Sequence, residues 1–292
     1  MHNIDDTRLA FNMSSFFRLA GTARPCPALR KPLSTSFFST TAPKRPFPSN
    51  FFRQPPPTLA SRIRQARSYS SGFGPERRYA ANMLLLKGFI GINIASFGYS
   101  IYASAQAKEG YTQKFRKYYQ NMTMSLNDVK NGYYWQTVTC MFAHAGLMHI
   151  AFNMLTFWSL GGTLCALPVT PGQFTLIVLG SGLAGSLFYL VQKQMQDQAG
   201  NRGAHQRALG FSGALIGAVT VVACFMPRNK VSLFGVVPVP LWLLTLGYAV
   251  YDGYYLNSEN TRTAHAGHLG GLGFGLVYYF LKLRRLQYPG SL

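Results

Sequence analysis

Six apolar stretches, near residues 82–103, 139–160, 173–192, 208–226, 233–252 and 264–283, fill the chain beyond its first eighty residues. A helix needs about 20 apolar residues to cross the hydrocarbon of a bilayer, and each stretch is of that order. In lipid a spanning segment must satisfy its own backbone polar groups, and runs this long do so as helices. The expected fold class is therefore all-α: a polytopic membrane protein with one six-transmembrane-helix bundle. Only 12% of the 292 residues are charged, low for a soluble protein. The fifth stretch carries Pro238 and Pro240 and is expected to kink or start late. The connection 104–138 has mixed charge and several aromatics, and is expected to hold a short helix on the membrane surface.

The first eighty residues are of another kind. They hold 13 Lys or Arg against only Asp5, Asp6 and Glu76, and include Pro46, Pro48, Pro55, Pro56 and Pro57. Such a basic, proline-rich, acid-poor leader reads as a mitochondrial targeting segment. Its end, Arg67-Ser68-Tyr69-Ser70-Ser71, resembles a matrix processing pattern and implies a cut between Tyr69 and Ser70. The alternative is a basic cytosolic tail that binds anionic lipid. The chain is thus divided into a targeting segment 1–69, a short basic linker 70–81, a membrane domain 82–283 and a basic tail 284–292. The formal charge of +20 invites a nucleic-acid partner, but the excess sits in the leader, loops and tail, so none is expected. Cys26, Cys140, Cys165 and Cys224 show no metal or disulfide spacing.

Loop charge sets the orientation. The leader, Arg228, Lys230, Lys282, Arg284 and Arg285 fall on one side, which in a mitochondrion is the matrix. Lys193, Arg202 and Arg207 fall on the other. Both termini are then expected in the matrix.

Polar side chains inside spans are costly and call for a reason. The second stretch contains His144, His149 and Asn153; the fourth opens on Gly210-Phe211-Ser212-Gly213; the sixth opens on His265-Ala266-Gly267-His268. All three begin on the side opposite the leader, so these residues can share one water-filled cavity. Gly213 and Gly217 in the fourth, and Gly267, Gly271 and Gly275 in the sixth, would let the two helices approach closely. Ser212 and His268 can then meet, the imidazole taking the hydroxyl proton as oxygen attacks a carbonyl. Asp252 ends the fifth stretch, but nothing in the sequence places it behind His268, so a Ser-His dyad is preferred to a triad. His149, Asn153 and the backbone N–H of Ser212 are candidates for oxyanion stabilisation. Taken singly, Ser212 is an ordinary packing residue and Asn153 ordinary interhelical glue; His144 and His265 read as structural or cavity-rim residues.

This constellation resembles the rhomboid family of intramembrane serine proteases. The family pattern of H-x-x-x-N, G-x-S-G and a later histidine matches His149-Ile150-Ala151-Phe152-Asn153, Gly210-Phe211-Ser212-Gly213 and His268-Leu269-Gly270-Gly271, with His144 as the upstream histidine. The resemblance covers roughly 82–283. It implies Ser212 as nucleophile, His268 as base, His149 and Asn153 at the oxyanion, no cofactor and no metal. It further implies transmembrane protein substrates, surrounding membrane lipid, and an active site facing the intermembrane space of a mitochondrial inner-membrane protein. Two departures stand out. The family's Trp-Arg in the first loop reads Trp135-Gln136, so an Arg-based loop contact is expected to be missing. No helix additional to the six is expected in 1–80. Phe211 is bulky and is expected to alter substrate access.

Rival classes remain. An inactive rhomboid-like protein would bind transmembrane clients without needing both Ser212 and His268. A transporter would need a polar track reaching the matrix side. A zinc protease would need H-E-x-x-H, which does not occur.

Overall fold

The computed structural model of the chain describes residues 74–200, 206–233, 236–258 and 263–286. The expected targeting segment 1–69, its cut after Tyr69, and the tail beyond residue 286 lie outside the described residues.

Helix α1 spans Pro75–Lys108. Proline is placed where its missing N–H costs nothing, at the first helical position. The helix therefore begins inside the stretch expected to be linker. Asn82, Leu86, Phe89 and Asn93 repeat at helical spacing and are buried, while Leu84, Ile92 and Ile94 are exposed. Asn82 docks this face by donating from Nδ2 to the carbonyl of Val169 at 3.0 Å.

The 104–138 connection folds into α2 (Gln113–Met122), the short strand β1 (Met124–Ser125), α3 (Leu126–Lys130) and α4 (Gln136–Thr139). A 3-10 turn follows over Cys140–Phe142, and α5 spans Leu147–Ala166. The expected single span 139–160 is corrected here. Ala143 and Gly146 are extended, and the helices on either side of this break are bent by 91°. His149 consequently lies in the first turn of α5. One turn beyond Asn153 the helix widens into a π turn over Phe157–Gly161.

Helix α6 (Pro171–Gln198) starts with a Thr170–Gln173 capping box and a first-turn proline. Strand β2 (Arg207–Ala208) pairs antiparallel with β1, and α7 (Ser212–Phe225) follows. The expected start of the fifth span at 233 is also corrected. Lys230–Leu233 (β3) and Val237–Pro240 (β4) form a hairpin, and α8 (Leu241–Tyr254) begins only after Pro240. Helix α9 (His265–Tyr278) runs on into a π turn at Tyr279–Leu283. The described chain is mostly helical, with two short strand pairs added to the helices expected.

Among the described residues, α1 and α6 are long and apolar enough to cross a membrane, and the bent pair around Gly146 makes a third if counted as one span. Helix α7 has 14 residues, almost all of them buried. A helix apolar all round belongs at the centre of a bundle. It packs there through its glycines. A methyl at Gly271 or Gly275 would run into the carbonyls of Gly213 or Gly217, so α7 and α9 are in backbone contact. A methyl at Gly185 of α6 would lie 2.5 Å from the carbonyl oxygen of Gly267. The glycine series read in the sequence thus makes the α7–α9 approach, and α6 joins it.

Candidate active site

The chain enters α7 through Leu209-Gly210-Phe211. Gly210 has φ +129°, a conformation that favours glycine, and its N–H donates to the carbonyl of Cys140 at 2.9 Å. A methyl at Gly210 would stand 2.9–3.0 Å from the His149 ring and 3.7 Å from Ser212 Oγ. The glycine thus leaves room for an imidazole on one side and the serine on the other. The next residue corrects an expectation. Phe211 is fully buried, with its ring 4.8 Å from Phe157 and 6.3 Å from Phe89, so it anchors the turn in the core and does not line the cavity.

Ser212 is the first residue of α7, where backbone N–H groups are unpaired by the helix itself. His268 lies in the first turn of α9. The close α7–α9 approach brings its Nε2 to 2.8 Å from Ser212 Oγ. The other ring nitrogen faces an acid. His268 Nδ1 lies 3.1 Å from both Oδ1 and Oδ2 of Asp252, whose side chain is 2% exposed. The sequence places no acid behind His268 and so favours a dyad; in the fold, Asp252 stands there. The end of α8 thus meets the start of α9.

His149 borders the same turn across Gly210. Asn153 follows one helical turn later, buried, with no hydrogen-bond partner for its Nδ2 among the described residues. His144 is buried beside His149, ring centroids 5.0 Å apart, and neither of its ring nitrogens has such a partner. His265 is not remote from the site either: its Nδ1 is 2.6 Å from Asp252 Oδ1. A cavity of about 40 Å³ reaches Ser212 and His268, lined by Cys140, Met141, Gly182 and Ser186 among others. Among the described residues no cluster of three or more metal-ligating side chains occurs.

The family model of the Rhomboid domain matches residues 131–285, more than half of the chain. The chain belongs to the rhomboid family. It is 31% identical over 159 residues to "Rhomboid protein 1, mitochondrial" of Saccharomyces cerevisiae, covering 51% of this chain and 44% of that protein. It is 28% identical over 166 residues to "RHOMBOID-like protein 12, mitochondrial" of Arabidopsis thaliana, covering 54% and 49%. To "Rhomboid protease GluP" of Bacillus subtilis it is 27% identical over 147 residues, covering 49% and 25%. The chain thus spans half or less of the length of these relatives.

Within this rhomboid the first loop also departs from expectation. Gln136, which stands where the family pattern has an arginine, is fully buried; it donates to Asp128 Oδ2 at 3.0 Å and to the carbonyl of Gln120. An arginine contact is nevertheless made from another element. Arg207 of β2 pairs with Asp128 and donates to Thr123 Oγ1 at 3.0 Å. Burial works to raise the pKa of Asp128, but hydrogen bonds from Gln136 and Arg207, with the arginine charge, hold it below the usual carboxylate range. This clamp joins the loop to the strand that leads into Gly210 and Ser212. A lone Arg207 in a polar connection carries no signal of that role in the sequence.

Proposed function

We propose that this rhomboid is an intramembrane serine endopeptidase that cleaves transmembrane segments of other membrane proteins. The observation that carries the reading is the chain of contacts Ser212–His268–Asp252, with 2.8 Å between Oγ and Nε2 and 3.1 Å between Nδ1 and the carboxylate. In the first half-reaction His268 Nε2 takes the Ser212 proton while Oγ bonds to the scissile carbonyl carbon. The protonated imidazole then gives that proton to the leaving amine as the C–N bond breaks. Water attacks the acyl-enzyme in the second half-reaction, His268 taking its proton and returning it to Oγ. Asp252 holds the hydrogen on Nδ1, which leaves Nε2 as the acceptor. His149, Asn153 and the Ser212 N–H are assigned to the developing oxyanion.

The substrate must open its helix first, because helical carbonyls are engaged in hydrogen bonds. Helix-breaking Gly or Pro near the cut favours cleavage, and the small cavity beside Ser212 suits a small residue before it. The proposed setting is the mitochondrial inner membrane, with six spans, both termini in the matrix and the active site toward the intermembrane space. The basic leader and the two relatives named mitochondrial support that setting. The test is cleavage of a transmembrane peptide by purified protein in vesicles, wild type beside Ser212→Ala. Cleavage by wild type alone is expected. Cleavage by neither leaves the alternative, an inactive rhomboid-like protein that binds transmembrane clients.

A further inference from the structure

His265 sits three residues before His268, so the two imidazoles leave the first turn of α9 on neighbouring faces. Both reach the same carboxylate. His265 Nδ1 is 2.6 Å from Asp252 Oδ1, the shorter of the two histidine contacts, and His268 Nδ1 is 3.1 Å from the same oxygen and from Oδ2. His265 and Asp252 are 3% and 2% exposed. The His265 ring is flanked by Tyr255, nearly parallel at 26° and 5.8 Å, and by Tyr251, edge-on at 5.7 Å.

We infer that His265 is a positioning residue: it holds the Asp252 carboxylate in the orientation that directs His268 toward Ser212. This rests on the protease reading given above. A buried carboxylate needs donors to offset its lost hydration. With His268 as its imidazole donor, Asp252 would be free to swing about its own side-chain bond, or to take up a proton. A protonated Asp252 would donate to Nδ1, move the imidazole hydrogen to Nε2, and leave nothing to accept from Ser212. The N–H of His265 fixes Oδ1 against both outcomes, and the two tyrosine rings fix His265. The arrangement is a supporting shell around the groups that react.

Two substitutions separate this role from simple packing. His265→Asn keeps a donor two bonds beyond Cβ, where Nδ1 stands, and gives up the ring. His265→Phe keeps a ring between Tyr251 and Tyr255 and gives up the donor. Cleavage kinetics in vesicles are expected to show kcat reduced on the order of 10- to 100-fold for the Phe variant, as misplacement of a catalytic group commonly costs. KM should be unchanged and kcat largely restored in the Asn variant. A Phe variant as fast as wild type, or faster than the Asn variant, overturns the inference. The imidazole N–H proton spectrum gives a second readout that needs no turnover. The downfield His268 N–H resonance should shift in the Phe variant and return in the Asn variant; an unmoved resonance in both also overturns it. Wild type that never cleaves removes the protease reading, while the resonances still decide whether His265 holds Asp252.

Discussion

Asp252, near the end of α8, meets Nδ1 of His268 with both carboxylate oxygens at 3.1 Å, while the far side of that imidazole faces Ser212. The acid, the base and the serine come from three different helices, α8, α9 and α7. Their alignment depends on how closely those helices approach.

The acid is the first point to test. Asp252→Asn preserves shape but offers an amide donor to His268 and favours the wrong tautomer. The expected result is a fall in kcat on the order of 10²-fold or more with KM nearly unchanged. Steady-state kinetics in vesicles checks this; unaltered kcat would return the site to a dyad.

Oxyanion stabilisation predicts a different signature. His149→Ala and Asn153→Ala should each lower kcat on the order of 10²-fold, about 3 kcal/mol of transition-state stabilisation, in folded protein. The double variant should lose less than the sum if both donors serve one oxygen. Purely additive, small losses would make these residues packing elements.

The glycine contacts bear on stability. Gly271→Ala places a methyl against the backbone of Gly213, which is not the movable end of a side chain. The helices must separate, at a cost of roughly 1–3 kcal/mol, and Ser212 and His268 separate with them. Thermal unfolding in detergent should show the loss. Gly273→Ala, where nothing lies within 4 Å, is the matched control and should be neutral.

The first-loop clamp has a pH signature. The folded-state pKa of Asp128 is lowered, so its stabilisation is fully present above the unfolded value of about 4 and is lost as pH falls through the folded value. Amide protection across 124–136, taken relative to the intrinsic exchange rate at each pH, should therefore fall below about pH 4. In Asp128→Asn the same protection should be lower at neutral pH and respond little to acid. Identical profiles in both proteins would detach the clamp from Asp128.

The glycine series on the fourth and sixth apolar stretches, with the shared side on which both begin, made an approach of Ser212 to His268 legible in the sequence. Two other features were not legible. Asp252 and His268 are 16 residues apart across a loop whose path no periodicity encodes, so their contact emerges only where the end of α8 meets the start of α9. The break at Ala143–Gly146 lies inside an apolar stretch interrupted there only by His144 and Gly146, and neither residue tells a helix that continues from one that turns by 91°. The place of Phe211 is hidden for a related reason: its neighbour in sequence faces the cavity, while its own ring is in the core against Phe157.

Covalent labelling tests, without a known substrate, whether Ser212 is a nucleophile activated by His268. Purified protein in vesicles is treated with a fluorophosphonate, and wild type is compared with Ser212→Ala and His268→Ala. Label on Ser212 in wild type, none in Ser212→Ala and strongly slowed labelling in His268→Ala is the predicted result. Equal labelling of wild type and Ser212→Ala, or no labelling of folded wild type, would contradict it.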